Sequence, residues 1–355
     1  MDENDTKPGE ARNKDKSFKV VLPLAFNDQS AKYPQMFAEL GAEFINKPCK
    51  TDDEFIEFAH DADAIVTLGN ARPVPRKVIE NLERCRIICT IQVGYEKIDI
   101  EAAAERGILV TNVPDYCIEE VSDHAMGLIL ACSRRIVMLD RAVRRSQWIP
   151  GGTEILREIR PKINRLYGQT LGLFGFGRLA RTVANKAKGF NLRIIAYDPY
   201  VGSEVAQEMG VEIVGFEDLL KESDFISIHA ALTPEGKRIF GQEAFKLMKP
   251  TACLINTARG EFVDEAALYQ ALKDGKLNLA ALDVMETEPP DPNNPLLGME
   301  EVIITAHNAF FSPHAAAESW SRPVGEIALV MRGEWPKSIV NPKAKEKYLA
   351  RWGAK

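Results

Sequence analysis

Thr170-Leu-Gly-Leu-Phe-Gly175-Phe-Gly177-Arg-Leu-Ala180, written TLGLFGFGRLA, decides the fold. An apolar run of strand length ends in two closely spaced glycines, and a helical pattern opens directly behind them. In such a turn the first glycine permits the tight bend, and the second lets the backbone approach a pyrophosphate lying on the helix N-terminus. Ala180 stands where a third glycine is often found. Asp198 ends the next apolar run, RIIAYD, twenty-three residues after Gly175. Its carboxylate can accept hydrogen bonds from a ribose 2′-hydroxyl and would repel a 2′-phosphate, so the expected dinucleotide is NAD rather than NADP. A plainer use of Asp198, capping the turn before Pro199, stays open.

Working outward, four more strand-like runs follow RIIAYD: DFISIHA, ACLINTAR, LAALDV and VIITA. With helical segments between them, these six runs make a doubly wound dinucleotide-binding sheet. An earlier series, FKVVLPLAF, AIVTLG, RIICTIQVG and GILVTNV, implies a second parallel sheet. Between the two series Val121, Ala125, Leu128, Ile129 and Cys132 recur at helical spacing, predicting one long helix from about Ile118 to Gln147. The expected class is therefore α/β, with two Rossmann-like doubly wound parallel-sheet domains. The stretch 149–167, with its prolines and glycines, reads as an inter-domain loop. A helix over roughly Pro313 to Arg332 and the segment WPKSIVNP follow the last cofactor-domain strand, and are expected to return to the first domain. That makes the substrate-binding domain discontinuous, 18–115 with 310–345, around an NAD-binding domain at 116–309. Residues 1–17 are too charged and polar to pack and read as a disordered tail.

The 355 residues are 45% hydrophobic and 27% charged with a net charge of −6, the composition of a soluble globular protein. That balance argues against a broad nucleic-acid-binding face. Arg134, Arg135, Arg141, Arg144 and Arg145 crowd one helical stretch, read here as a solvated or subunit-contacting face. The six cysteines form no CxxC pair and sit mostly in apolar runs, pointing to reduced thiols, a cytoplasmic setting and no structural metal. The longest helical apolar stretch, AMGLILAC, is far too short to span a bilayer, so no membrane role is expected.

Three polar residues fall where open α/β sheets bind ligands, just past the ends of strand-like runs. Arg259 follows ACLINTA, Glu288 follows ALDVMET, and His307 follows VIITA. Each has an ordinary use: a surface ion pair for Arg259, a turn for Glu288, a satisfied core residue for His307. Their shared placement favours a site.

GFGRLA with Asp198, INTARGEFVDEAAL, ALDVMETEPP and ITAHNAF resemble, in order and spacing, the signature segments of the D-isomer-specific 2-hydroxyacid dehydrogenases. IQVGYEKIDIEAAAERGILVTNVP is similar to that family's substrate-domain segment, and NVPDYCIEEVSDHAMGLIL to the branch that includes the C-terminal-binding-protein corepressors. The resemblance implies that His307 protonates the carbonyl oxygen of a 2-keto acid while NADH delivers hydride, that Glu288 orients His307 and favours its charged form, and that Arg259 holds the substrate carboxylate. It implies further carboxylate contacts from backbone amides near Val93 and Gly94. Arg178, Leu179, Thr257 and Ala258 would contact the cofactor, and Asp283 would hold its carboxamide. The chain departs from the family at Ala306 and Asn308. Arg72 is displaced by one position from an arginine of the phosphoglycerate-type members, which argues against a phosphorylated substrate; it remains a candidate substrate contact. The implied protein is a homodimeric enzyme acting on a 2-keto or 2-hydroxy acid. The rival reading is an NAD-sensing, corepressor-like scaffold that binds peptide partners; hydride transfer to formate is weaker, since the formate enzymes carry glutamine where Glu288 stands.

Overall fold

A computed structural model describes residues 17–69, 71–145, 148 and 154–353. The expected tail, apart from Ser17, and positions 149–153 of the expected loop lie outside them. The described chain divides into two units, one up to Tyr116 resuming at Pro313, the other from Cys117 to Ser312.

The first unit holds five strands, β1 (Phe18–Leu22), β2 (Ala42–Asn46), β3 (Ala64–Thr67), β4 (Ile87–Thr90) and β5 (Leu109–Thr111), in the order β2-β1-β3-β4-β5. Every pairing is parallel. The central strands are buried along their whole length, as expected of a parallel sheet covered on both faces. One face packs Val20, Leu22 and Val66 against Val324, Ile327 and Val330 of the Pro313–Met331 helix. On the other, Val21, Ile65 and Ile88 meet Phe55, Val78 and Ile79.

Seven strands form the sheet of the second unit: β6 (Thr170–Phe174), β7 (Arg193–Tyr197), β8 (Glu212–Ile213), β9 (Phe225–Ile228), β10 (Cys253–Asn256), β11 (Leu279–Leu282) and β12 (Val302–Ile304). Their order, β12-β11-β10-β9-β6-β7-β8, reverses direction between β6 and β9. That reversal is the topological switch point at which such sheets open a crevice past their carboxyl ends.

Several expectations are corrected. Strands β2 and β8 were not foreseen: both are edge strands, and neither carries a continuous apolar run, β2 burying only Ala42 and β8 having two residues. The long helix breaks into Ile118–Arg134 and Ile136–Arg144, because Arg135 takes a left-handed conformation (φ 56°). Arg135 is also not part of a solvated face. Its side chain is buried and donates to the Lys162 carbonyl and to Asn278 Oδ1, which fixes the break. The described part of the expected loop at 149–167 contains a helix, Glu154–Ile159. The first unit does not end at 345, since the helix Lys345–Trp352 buries Tyr348 and sets Trp352 under the Arg86 guanidinium, 4.5 Å from the ring centre. Residues 310–312 go with the second unit, where Ser312 Oγ donates to Glu120 Oε1 at 2.6 Å.

All six cysteines are buried free thiols. Among the described residues no helix is long and apolar enough to cross a membrane, and no cluster of three or more His, Cys, Asp or Glu could hold a metal ion.

Candidate active site

At the end of β6 the chain turns at Gly175, whose φ of 89° is a conformation that residues with a Cβ rarely adopt. A Cβ there would also lie 2.7 Å from the Ala230 amide nitrogen, so glycine is required twice over. Gly177 caps the Arg178–Lys188 helix without any side-chain hydrogen bond, and the space a Cβ would fill at this position is empty. An eleven-residue helix thus begins beside open space at Gly177, with Arg178 exposed and Leu179 packed onto the core. This cradle fits the pyrophosphate of a dinucleotide, since the dipole of the helix favours an anion at its N-terminus. Asp198 follows β7 and ties the turn down: its Oδ2 accepts from the Phe176 amide and its Oδ1 from the Tyr200 amide, each at 2.8 Å. It caps the turn, and each oxygen can still accept a further bond.

Arg259 leaves β10 on a turn held by Asn256. The buried Asn256 accepts from the Ala258 amide at 3.0 Å and donates to the Arg259 carbonyl at 2.8 Å. Thr257 and Ala258 lie in that turn, half-buried. Gly260 then presses against the next loop so closely that a Cβ would fall 2.0 Å from the Met285 carbonyl carbon. That loop carries Glu288, so the segments bearing Arg259 and Glu288 are in backbone contact.

His307 follows β12, and its Nδ1 lies 2.7 Å from Glu288 Oε2. The remaining Glu288 oxygen accepts from the Met285 amide at 3.1 Å. About a third of each side chain stays exposed (32% and 36%), which leaves Nε2 as the nitrogen available to a ligand. Partial burial pushes the Glu288 carboxyl upward in pKa. The hydrogen bond and charge of His307, the Met285 amide and the Arg259 charge outweigh it, so Glu288 lies below its ordinary value and is ionised. Ala306 and His307 are both left-handed (φ 52° and 53°), at a cost of about 1–2 kcal/mol per residue for side chains with a Cβ.

Asp283 has a different place from the one expected. Its carboxylate is 1% exposed, and it accepts from Thr305 Oγ1 (2.6 Å), the Asn308 amide (2.9 Å) and the Ala309 amide (3.0 Å). Its carbonyl accepts from the His307 amide. Those contacts brace the His307 turn. Arg72 is likewise corrected as a substrate contact: its guanidinium is largely buried, donates to Asp52 Oδ1 at 2.7 Å and lies over the Phe55 ring. Val93 and Gly94 sit in the bend after β4, with the Val93 side chain exposed and its carbonyl accepting from Asn112 Nδ2 at 2.7 Å. Arg72, Val93 and Gly94 belong to the first unit, whereas Arg259, Glu288, His307 and the cofactor residues belong to the second.

Asn256 and Gly260 were missed as positioning residues; an asparagine closing a strand is the available cue for the first, whereas nothing local announces the second. His229 was missed too. It follows β9 in register with Thr257 after β10, since Ile228 pairs with Asn256. Both His229 ring nitrogens and Thr257 Oγ1 are buried without a hydrogen-bond partner among the described residues, and burial pushes the imidazole pKa down to about 3, keeping it neutral.

Residues 126–309 match the family model described as "D-isomer specific 2-hydroxyacid dehydrogenase, NAD binding domain". The chain is 42% identical to a D-3-phosphoglycerate dehydrogenase of Methanocaldococcus jannaschii over 82% of its own length, and that match spans only 54% of the relative. A glyoxylate reductase of Korarchaeum cryptofilum is 40% identical, with 81% of this chain and 85% of the relative covered. Among solved structures, D-lactate dehydrogenase of Aquifex aeolicus complexed with NAD and lactic acid superposes with a TM-score of 0.78 at 26% identity, over 91% of this chain and 99% of that one. The chain belongs to the D-isomer-specific 2-hydroxyacid dehydrogenases, a family of NAD-dependent oxidoreductases.

Proposed function

We propose that the protein interconverts a small, unphosphorylated 2-keto acid and the corresponding D-2-hydroxy acid. The single observation that carries this reading is the His307–Glu288 pair, with Nδ1 engaged at 2.7 Å and Nε2 left for a ligand. When bound, the dihydronicotinamide supplies the hydride. An ionised Glu288 holds Nδ1–H, so the ring gives the Nε2 proton to the carbonyl oxygen in reduction and takes it back from the alcohol in oxidation. Arg259 offers a planar set of donors suited to the substrate carboxylate. The Val93 and Gly94 amides remain the first unit's candidates for a carboxylate. A phosphorylated substrate is disfavoured because Arg72 is committed to Asp52.

Asp198 is the residue proposed to prefer NAD over NADP. A cytoplasmic homodimer in contact through the Ile118–Arg134 helix accompanies this reading, and sedimentation would test the dimer. The relatives described above are dehydrogenases and a reductase, which does not favour the scaffold. The deciding experiment follows NADH oxidation with a panel of 2-keto acids, glyoxylate first because a relative is named for it. Turnover of none of them would sink the proposal.

A further inference from the structure

The turn that presents His307 contains no glycine, yet it holds two successive left-handed residues. Something outside the turn must keep it there, because an isolated TAHN segment would relax to right-handed or extended conformations. The Asp283 carboxylate is one restraint. Behind it lies a second, on the Ile118–Arg134 helix: His124 Nε2 is 2.9 Å from Thr305 Oγ1 and 3.6 Å from Asp283 Oδ1.

The proton inventory of this group is settled by counting. A threonine hydroxyl has one hydrogen, and an ionised carboxylate can only accept. Thr305 therefore donates to Asp283 Oδ1 at 2.6 Å, and the 2.9 Å contact with His124 requires Nε2 to donate to Thr305. Donors thus converge on the Asp283 carboxylate from two sides, His124 through Thr305 from the helix and the Asn308 and Ala309 amides from the turn. Four residues earlier on the same helix face, Glu120 accepts from Ser312 Oγ at 2.6 Å. One helix thus grips both ends of the segment from Thr305 to Ser312, with His307 inside the grip.

We infer that His124 and Thr305 are positioning residues for the acid/base chemistry: they set the left-handed turn that places His307 against Glu288, without touching substrate themselves. The inference rests on the proposed role of His307. It assigns His124 a donor role through Nε2, so glutamine, which can donate from its side-chain amide, should substitute in part, whereas leucine should not.

The test compares Thr305→Val with Thr305→Ser and His124→Leu with His124→Gln in the full-length enzyme, alongside His307→Asn. NADH affinity is read by fluorescence, kcat by NADH oxidation, and the pH profile of reduction from acid to alkaline. Misplacing a reacting group by about 1 Å costs roughly 100-fold, so Thr305→Val and His124→Leu are expected to lose about 10- to 100-fold in kcat. NADH affinity should stay within about twofold, and Thr305→Ser and His124→Gln should recover most of the rate. The alkaline limb of the profile should also move to lower pH in the crippled variants, because a loosened turn weakens the hydrogen bond to Glu288; a role confined to stability would leave that limb in place. The inference is overturned if Thr305→Val and His124→Leu reduce the keto acid at the wild-type rate, if serine and glutamine rescue nothing, or if NADH affinity falls in step with kcat. Should Thr305→Val fail to fold, the His124 pair decides alone. If instead His307→Asn keeps the wild-type rate, the proposed catalytic role falls, and the positioning inference with it; an inert His307→Asn with unaffected His124 and Thr305 variants removes the positioning inference only.

Discussion

Two turns at the carboxyl edge of the same seven-stranded sheet solve the same problem differently. Both project backbone into a left-handed conformation, and both are tied down by an aspartate following a neighbouring strand, Asp198 for the Gly175 turn and Asp283 for the His307 turn. At Gly175 the residue itself permits the conformation. At Ala306 and His307 it does not, and the shape comes from hydrogen bonds that reach the turn from β11 and from the Ile118–Arg134 helix. The Gly175 turn is thus encoded locally, whereas the His307 turn is encoded by its surroundings. A residue placed by its surroundings can be aimed within a narrow range, which suits a proton donor better than a phosphate cradle.

This contrast breaks most visibly at His307. His307→Asn is expected to lose about 10²- to 10⁴-fold in kcat, while NADH affinity, measured by fluorescence, barely changes. A near-wild-type rate would make His307 scaffolding. Gly175→Ala should do the opposite: the left-handed strain and the approach to Ala230 should cost about 1–3 kcal/mol of stability and weaken NADH binding about tenfold or more, with kcat at saturating NADH much less affected. Calorimetric titration and thermal melts separate the two effects, and unchanged NADH affinity would mean that the turn can yield.

Glu288→Gln sharpens the picture from the carboxylate side. Removing the charge takes away the partner that favours the protonated ring, so the alkaline limb of the reduction profile should move down. On the acid side, Glu288 is held below its ordinary pKa, so its contribution to stability is present above the usual carboxyl range and lost as pH falls through the lowered value. The glutamine variant should lack that loss, and melts across an acid series check it. Asp198→Ala should lower the ratio of kcat/KM for NADH over NADPH without abolishing turnover; an unchanged ratio would leave Asp198 as a turn cap alone. The smallest effect is expected at Ala306→Gly. Relief of roughly 1 kcal/mol of left-handed strain is offset by the larger entropy glycine loses on folding, leaving stability within about 0.5 kcal/mol of the wild type. A large loss would mean that the Ala306 methyl packs as well as bends.

The same contrast governs what could be read from the sequence. TLGLFGFGRLA announces its own structure, and continuous apolar runs reveal buried parallel strands, so the doubly wound class and the order of the central elements were legible. That Arg259, Glu288 and His307 lie past the carboxyl ends of strands was legible because each follows a strand-like run. Asp283 was legible as the residue past a strand-like run but not in its contacts: a D after AL does not announce that its carboxylate holds the turn beneath it. Arg72 misled for a similar reason, since its partner Asp52 is distant in sequence and invisible to spacing. Edge strands β2 and β8 lack an apolar run to betray them. The helix break at Arg135 depends on Lys162 and Asn278, and no local propensity foretells a buried arginine.

The seam where the first unit closes has its own consequence. Asn341 inserts its side chain at the β5 edge, accepting from the Val110 amide at 2.8 Å and donating to the Ile108 carbonyl at 2.9 Å, while the Val340 amide donates to the Val110 carbonyl. During synthesis, residues 117–312 are all made before Asn341. The inserted unit can therefore begin to assemble its sheet first, while the first unit keeps its β5 edge unsealed until Val340 and Asn341 are translated.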